Sequence, residues 1–399
     1  MEENDFLHPD HVMDESMRIY GLDASSANKE KKTGVEWYAF HLIEEMKQHT
    51  LTKEERVVLF SPTPLLGVLA HLPPQWESRV LSWRLPRGWM QGRVSWEMWR
   101  RPVHVLFVPS QGLPIIFPRD VKKQQATITT IHDLGFLRRP DVYPPSLRRR
   151  LHHVTGRAAL RASHILTPSI FTKQEVMDVY HVAPEKITVT PLAPNHTLYT
   201  LRSTEEKNAV VQTYRLSPHY FFSVGRLEAK KNILTLLRAF EQYKERRGHG
   251  DPFELVLAGF PGYKHEEIDA FYKLSPFKSS IRFLGYVPEE EIPILISQAT
   301  AYLTPSWYEG FGIPNLEAAA CGTPVIVSDI PVYHEVMGEA GIFVPPAHIE
   351  AWAKALTKIV DDPALRVSLQ QKGLARAKEF SFARTAKQTW EVLRTSVRV

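Results

Sequence analysis

The residues from Tyr302 to Asp329 predict one strand–helix–strand unit. The apolar run that ends at Thr304 predicts a buried strand, and residues 314–320 predict a helix that has proline at its first position. A second apolar run, at residues 325–327, predicts another buried strand. Units of this kind build parallel sheets with helices on their faces, so we expect an α/β protein.

The loop of this unit carries groups that are typical of a ligand site. Parallel sheets bind ligands at the carboxyl ends of their strands, and a helix N-terminus preceded by glycines offers backbone N–H groups to an anion. Glu309 lies in the loop and Glu317 in the first turns of the helix. Glu317 alone is equally consistent with a carboxylate favoured by the helix dipole. Its combination with Gly310, Phe311 and Gly312 favours a binding site.

The run from Glu309 to Glu317, EGFGIPNLE, resembles a motif of two glutamates with seven residues between them. This motif is found in retaining glycosyltransferases of the GT-B fold, especially in the family GT4, and the resemblance covers nearly the whole chain. It implies an α/β fold of the GT-B type, in which two doubly wound Rossmann-like domains face a cleft.

The pattern of strands and helices supports two such domains. Residues 1–198 are predicted to form the domain on the acceptor side, and residues 199–380 the domain that binds the nucleotide sugar. The polar segment 191–208 is predicted to link them. The resemblance implies that the C-terminal helix, 381–399, crosses back to the first domain. Strands are predicted at 18–25, 56–60, 79–85, 103–109, 127–131, 164–168, 186–192, 220–224, 253–258, 281–284, 301–304, 325–327 and 341–344.

Composition limits the class of protein. At 399 residues the chain exceeds the usual size of one core, and its 43% apolar and 23% charged residues are typical of a globular protein. The single cysteine, Cys321, excludes an intramolecular disulfide and a cysteine-based zinc cluster, and it fits a reducing cytoplasm. The acidic N-terminus lacks the apolar core of a signal peptide, and no apolar run is long enough to span a bilayer. We therefore expect a cytoplasmic protein whose membrane contact, if any, is peripheral on the inner face.

The net charge of +5 admits anionic partners such as nucleotides or lipid head groups. No zinc-finger spacing, basic region with heptads or RNP-like motif is found, so no nucleic acid is expected as a partner. Aromatic and basic residues are concentrated between residues 76 and 101, a mixture that suits a membrane surface or an anionic glycan. The alternative is that tryptophans pack a short helix against the sheet while arginines face water, because no sustained amphipathic helix is visible. The residues concerned are Trp76, Trp83, Arg84, Arg87, Trp89, Arg93, Trp96, Trp99, Arg100 and Arg101.

The resemblance assigns roles in donor binding to several residues. Arg226 and Lys231 match the basic pair that holds the diphosphate of the donor, although in isolation they would be a solvated loop. His132, in a His-Asp-Leu segment, matches a histidine that approaches the transferred sugar, although a histidine taken alone is more often structural. Glu317 is assigned to the ribose, and Glu309 to positioning and electrostatic stabilisation of the sugar.

Further substrate contacts are carried over from the same motifs. Gly34 lies in the first loop, beneath the diphosphate, and the backbone around Val287 is placed beside the nucleobase. Glu36 and Trp37 stand where the family commonly has a second glycine and an arginine, so the acceptor class stays open. The remaining contacts within the glutamate motif are Gly310, Phe311, Gly312, Ile313 and Leu316.

These assignments predict a retaining GT4 hexosyltransferase that moves a sugar, with mannose favoured, from a nucleoside diphosphate sugar to a hydroxyl of a glycan or lipid-linked acceptor. No Asp-x-Asp motif is found in a strand-end loop, so neither a metal nor another cofactor is expected. The alternatives are a GT-B nucleotide-sugar epimerase or hydrolase, and a non-catalytic peripheral binder of glycan or lipid. The intact pairs Glu309 with Glu317 and Arg226 with Lys231 argue against the binder.

Overall fold

The computed structural model describes residues 17–85, 87–115, 126–248 and 250–396. The predicted N-terminal tail, residues 1–16, and the end of the predicted C-terminal helix, residues 397–399, lie outside these ranges. Within them, no helix combines the length and the apolar composition that a membrane span requires.

Within the described residues, the first sheet has seven strands: β1 (Arg18–Asp23), β2 (Glu55–Ser61), β3 (Trp76–Val80), β4 (Val105–Val108), β5 (Ala126–Thr130), β6 (His164–Thr167) and β7 (Ile187–Val189). Their order is β3-β2-β1-β4-β5-β6-β7. Strand β1 pairs in parallel with β2 and β4, so Leu22 lies opposite Leu59 on one side and Phe107 on the other. Burial on both faces explains these nearly continuous apolar strands. The helices of this half are α1 (Gly34–Met46), α2 (Ser95–Arg100), α3 (Gly135–Arg138), α4 (Pro145–Arg161) and α5 (Ile170–Tyr180).

The second sheet has six strands: β8 (Tyr220–Val224), β9 (Glu254–Ala258), β10 (Ile281–Gly285), β11 (Ala301–Thr304), β12 (Val325–Ser328) and β13 (Gly341–Val344). Their order is β10-β9-β8-β11-β12-β13, so the order reverses between β8 and β11. The loops that follow these two strands meet at a topological switch point, where doubly wound sheets bind ligands. The helices of this half are α6 (Thr204–Tyr214), α7 (Ile233–Arg247), α8 (His265–Leu274), α9 (Ile292–Gln298), α10 (Ile313–Ala320), α11 (Pro331–Met337), α12 (Ile349–Asp361), α13 (Pro363–Lys378) and α14 (Phe382–Ser396).

The chain is grouped into two compact units. The first comprises Met1–Thr129, Ala162–His164 and Trp390–Val399, and the second comprises Thr130–Arg161 and Ile165–Thr389. This grouping does not coincide with the division by sheets, because β7 belongs to the first sheet but to the second unit. The domain boundary predicted at residue 198 stays a prediction. Of the residues predicted to contact substrate, Gly34 lies in the first unit and the others lie in the second.

An aromatic core fixes α7 beneath the second sheet. Phe221 of β8 packs edge-on against Tyr243 of α7, with ring centroids 5.5 Å apart, and Trp352 of α12 is fully buried in the same cluster. Because α7 is held along its length, the loop that leads into it from β8 is held at the carboxyl edge of the sheet.

Several predicted boundaries were wrong: β1 ends at Asp23 instead of residue 25, and β7 covers Ile187–Val189 instead of 186–192. Two others have a clear physical reason. Strand β3 covers Trp76–Val80 instead of 79–85, because Trp76 is buried opposite Val57 while Trp83 turns away and donates from Nε1 to the carbonyl of Arg87. The predicted linker extends into α6, which begins at Thr204. Ser203 and Glu206 form a capping box there, with the Glu206 N–H donating to Ser203 Oγ at 3.2 Å.

The tryptophan- and arginine-rich segment is partly packed and partly exposed. The Trp89 indole packs against the apolar cluster beneath the segment and donates from Nε1 to the carbonyl of Leu81 at 2.7 Å. In α2, Trp96 and Trp99 are 45% and 65% exposed. Both interpretations of this segment therefore describe part of it: Trp89 belongs to the core, and the outer tryptophans face solvent.

The end of α14 belongs to the first unit. Trp390 donates from Nε1 to the carbonyl of Met46 at 3.2 Å, and Arg394 makes two hydrogen bonds of 2.9 Å to the Glu55 carboxylate. Tyr20 donates to the same carboxylate at 3.2 Å. Glu55 is buried, so Arg394 compensates a charge that would otherwise oppose folding.

Candidate active site

The candidate active site is a pocket at the switch point of the second sheet. Its wall includes Gly225 and Arg226 from the loop after β8, and Glu309 and Gly312 from the loop after β11. Lys231, which lies two residues before α7, belongs to the same wall. The space between these groups is about 380 Å³, part of it open to solvent. The structure thus brings four of the predicted site residues together: Arg226, Lys231, Glu309 and Gly312.

Glu309 is held between two lysines. Lys231 Nζ lies 2.7 Å from Glu309 Oε1, and Lys230 Nζ lies 3.7 Å from Oε2. Burial alone would raise the pKa of Glu309, but the two ammonium groups outweigh burial and lower its pKa to about 2. Glu309 is therefore a carboxylate throughout the neutral range, and it can interact with positive charge but cannot donate a proton.

Lys230 was not predicted as a site residue. Its Nζ lies 3.0 Å from Asp133 Oδ2, in the loop after β5, as well as near Glu309. Burial would lower the pKa of Lys230, but Asp133 and Glu309 raise it well above the usual value. The sequence holds a signal for it, since two consecutive lysines precede Asn232, but the family motif accounts for only the second.

Gly310 joins the Glu309 loop to the loop that contains His132. A Cβ atom at Gly310 would overlap the carbonyl oxygen of His132 and would lie 2.8 Å from the Cβ of Asp133. The Gly310 carbonyl accepts hydrogen bonds from Ser169 Oγ at 2.7 Å and from Thr172 Oγ1 at 3.0 Å. Only glycine allows this approach, which places His132 beside the residue that follows Glu309.

Helix α5 supports this contact and is itself capped by a carboxylate. Glu335 of α11 accepts from the backbone N–H of Ile170 at 2.7 Å with one oxygen, and from that of Phe171 at 2.9 Å with the other. Ser169 caps the helix by accepting from the N–H of Thr172 at 3.0 Å. The first N–H groups of α5 are therefore satisfied by the protein.

Helix α10 begins at the pocket in a conformation that needs glycine. Gly312 precedes it with φ of +92°, and a Cβ there would lie 2.5 Å from the Tyr333 ring. The side chains of Phe311 and Leu316 are 4% and 0% exposed, and Phe311 packs edge-on against Phe380 at 5.8 Å. These two side chains belong to the core, and neither residue lines the pocket described above. Ile313, the first residue of α10, is half-buried.

Glu317 lies on α10 but does not line the pocket described above. Burial and the nearby Glu289 raise its pKa to about 8, against the opposing effect of the Tyr199 hydroxyl. At neutral pH Glu317 therefore keeps its proton and can both donate and accept a hydrogen bond.

The other predicted contacts are placed as follows. Arg226 is exposed, and its side-chain stem lies over Gly262, where a Cβ would come within 2.7 Å of Arg226 Cγ. Val287 is 4% exposed, whereas its neighbour Tyr286 is 55% exposed. Gly34 is the exposed first residue of α1 in the first unit. Among the described residues, no three His, Cys, Asp or Glu side chains are grouped so that they could hold a metal ion.

The sequence matches two family models over most of its length. Residues 32–195 match Glycosyltransferase Family 4, and residues 205–376 match Glycosyl transferases group 1. The O-antigen chain mannosyltransferase B of Escherichia coli is 32% identical over 266 residues, which are 66% of this chain and 69% of that protein. This chain belongs to the GT4 family of glycosyltransferases. The prediction of a GT4-type hexosyltransferase is thereby confirmed.

Two further proteins resemble this glycosyltransferase. The O-antigen chain mannosyltransferase RfbU of Salmonella typhimurium is 32% identical over 237 residues, which are 59% of this chain and 61% of RfbU. The crystal structure of HepE from Anabaena in complex with UDP-glucose matches with a TM-score of 0.71 at 17% identity, over 95% of this chain and 100% of HepE. At that identity the match bears on the fold alone, and it confirms the predicted GT-B fold.

Proposed function

We propose that this glycosyltransferase moves a hexose, with mannose favoured, from a nucleoside diphosphate sugar to a hydroxyl of a glycan or lipid-linked acceptor. One observation carries the proposal: Arg226, Lys231 and Glu309 line the same pocket at the switch point. A guanidinium and an ammonium suit the two phosphates of the donor. The Glu309 carboxylate can stabilise the positive charge that develops on a sugar as its bond to phosphate breaks.

The names of the relatives support the choice of sugar and acceptor. Both curated relatives are named O-antigen chain mannosyltransferases, which supports mannose as the sugar and a growing glycan or its lipid-linked form as the acceptor. The HepE structure contains UDP-glucose, so GDP and UDP donors are both tested below. Under this proposal the enzyme takes part in polysaccharide biosynthesis.

The proposed reaction retains the anomeric configuration. The bond between the anomeric carbon and the β-phosphate oxygen breaks, the acceptor oxygen bonds to the same face of the sugar, and the acceptor proton passes to the departing phosphate. Arg226 and Lys231 offset the charge that grows on that phosphate, which is the role a metal ion has in other transferases. Glu309 positions the sugar and stabilises its charge, and His132, whose backbone contacts Gly310, approaches it from the other loop.

We therefore expect an α-linked product from an α-linked donor in the absence of added metal. The measurement incubates GDP-mannose, and UDP-glucose in parallel, with acceptor and EDTA, and assigns the new linkage by NMR. A β-linked product would contradict retention. Complete loss of activity in EDTA that Mg²⁺ restores would contradict metal independence. Release of free nucleotide without an acceptor-linked product would instead favour an epimerase or a hydrolase.

We also propose a peripheral contact with an anionic membrane, at the inner face in the cytoplasm. The exposed patch is formed by Trp96 and Trp99 with Arg93 and Arg100, whose guanidinium carbons lie 4.8 Å and 5.3 Å from the centroid of the Trp96 ring. Exposed tryptophans beside arginines suit the interface between lipid head groups and acyl chains.

We expect the double replacement of Trp99→Ala and Arg100→Ala to reduce co-sedimentation with anionic vesicles. One arginine near such a surface contributes about 1 kcal/mol, so the partition coefficient should fall about fivefold or more. Arg93 is left in place because it also pairs with the buried Glu97 at 3.0 Å. The control replaces the exposed Arg238 and Arg384 by alanine. Unchanged pelleting of the Trp99 and Arg100 variant would remove the membrane proposal.

A further inference from the structure

Two carboxylates and two lysines form a closed cluster at the bottom of the site. Lys231 Nζ binds Glu309 at 2.7 Å, and Lys230 Nζ binds Asp133 at 3.0 Å while lying 3.7 Å from the other oxygen of Glu309. The Lys230 and Glu309 side chains are 13% and 12% exposed. Within the cluster the charges balance, because each carboxylate has one close ammonium partner.

Binding of the donor disturbs this balance. Under the proposed function, Lys231 contacts the diphosphate, whose charge competes with Glu309 for the same ammonium group. If Lys231 turned away and nothing replaced it, Glu309 would be a buried charge without compensation, a strongly unfavourable state that is relieved by taking up a proton. A protonated Glu309 could no longer stabilise positive charge on the sugar.

Lys230 is placed to prevent this. Its ammonium group already lies near Glu309 Oε2, the oxygen that Lys231 does not contact closely. Asp133 holds the ammonium group from the other side. The backbone carbonyl of Lys230 accepts from the N–H of Trp307 at 3.0 Å, in the loop that leads to Glu309. Lys230 is thus tied to both strand-end loops and cannot follow Lys231 toward the pocket.

We propose that Lys230 is a positioning residue that takes over as the counterion of Glu309 when Lys231 binds the donor diphosphate. This inference rests on the proposed function and adds to it a residue that the family motif does not assign. The two consecutive lysines then have separate roles: Lys231 binds the donor diphosphate, and Lys230 compensates the charge of the Glu309 carboxylate.

The other groups near Glu309 cannot take this part. Among the described residues, the other ionisable groups that interact with Glu309 or with Lys230 include Asp133, Tyr143, Tyr302, Tyr308 and Tyr333, none of which carries positive charge. Arg226 lines the same pocket, but it is exposed and is itself assigned to the diphosphate. His132 is another titratable group on the loop of Asp133. It is present in the wild type and in every Lys230 variant, so the comparison between them isolates the contribution of Lys230.

The test titrates Glu309 directly. The protein is labelled with ¹³C at the glutamate carboxyl carbons, and the Glu309 signal is assigned by its loss in Glu309→Gln. Spectra are recorded from about pH 8 to pH 4 for the wild type, Lys230→Met and Lys230→Arg, each with and without saturating GDP or UDP. An opposite charge at this distance lowers a carboxyl pKa by about one to three units, so Lys230→Met should raise the pKa of Glu309 from its value of about 2. The midpoint should enter this pH range when bound nucleotide also draws Lys231 away.

The effect of nucleotide distinguishes a counterion from a structural lysine. In the wild type Glu309 should stay ionised over the whole range with nucleotide bound. In Lys230→Met the midpoint should rise further when nucleotide is added, and the acid limb of kcat should move to higher pH with it. Lys230→Arg should restore both.

Lys244→Met is the matched control, because Lys244 is also buried and paired, with Asp251 at 3.3 Å, but lies outside the site. It should lower the unfolding temperature and leave the Glu309 titration unchanged. If GDP or UDP binds and Lys230→Met titrates like the wild type, the inference is wrong while the proposed function stands. If neither nucleotide binds nor any sugar is transferred, the proposed function fails and the exchange of counterions fails with it.

Discussion

Replacing Arg226 or Lys231 by alanine should lower kcat by roughly 100- to 1000-fold, the range found when one preorganised donor to a developing charge is removed. The charge on the leaving phosphate is larger in the transition state than in the bound donor, so turnover should suffer more than ground-state binding. Arg226→Lys should recover only part of the rate, because an ammonium group cannot reproduce the paired N–H groups of guanidinium. Steady-state kinetics and calorimetric binding of the nucleoside diphosphate measure the two effects separately.

The two variants should differ in stability. Arg226 is exposed, so its loss should leave the unfolding temperature without ligand nearly unchanged. Lys231 is the closest partner of the buried Glu309, so Lys231→Ala should lower the unfolding temperature as well. Arg238→Ala, at an exposed arginine of α7, is the control for loss of charge alone. Nearly normal kcat with unchanged diphosphate affinity in both variants would show that this loop is ordinary solvated surface.

Replacing Gly310 by alanine should lower kcat about 100-fold, because a shift of about 1 Å in a catalytic group has an effect of this size. The new methyl group would overlap the His132 carbonyl, so the loops must separate and the hydrogen bonds from Ser169 and Thr172 to the Gly310 carbonyl must lengthen or break. Overpacking of this kind also destabilises a fold by about 1–3 kcal/mol. Kinetics and thermal unfolding of the same preparation test both parts.

The matched control for this variant is Gly112→Ala. A Cβ at Gly112 would meet no atom within 4 Å, so the same chemical change should alter neither kcat nor the unfolding temperature. If Gly310→Ala keeps its kcat within a few-fold of the wild type, the close approach of the two loops is not needed for turnover.

Local signals allowed much of this fold to be predicted. The unit at residues 302–329 was confirmed as β11, α10 and β12, because short apolar runs bounded by glycine and proline identify buried strands without knowledge of distant residues. The segment around β3 was misjudged because tryptophan and arginine give no clear period there. The start of α6 was missed although Ser203 and Glu206 have the spacing of a capping box.

The candidate site was less predictable because its parts are distant in sequence. The position of the Lys230 side chain depends on its hydrogen bond to Asp133, which lies 97 positions away in the sequence. Nothing near Lys230 in the chain indicates that contact. The motif that indicated Phe311 and Leu316 cannot distinguish a side chain that packs in the core from one that faces substrate. Their burial becomes evident only when Phe380 and the helices around α10 are in place.

The Glu335 carboxylate also determines which helix can receive a foreign anion. It occupies the leading amides of α5 with both oxygens, so the electropositive end of that helix is already neutralised from within. The start of α10 has no side-chain cap, and Gly312 opens it toward the pocket that contains Arg226. Under the proposed function, a phosphate entering this part of the molecule meets one helix end whose leading amides are occupied by Glu335 and one that carries no side-chain cap. Under that proposal, Glu335 excludes the anion from α5 without itself touching the substrate.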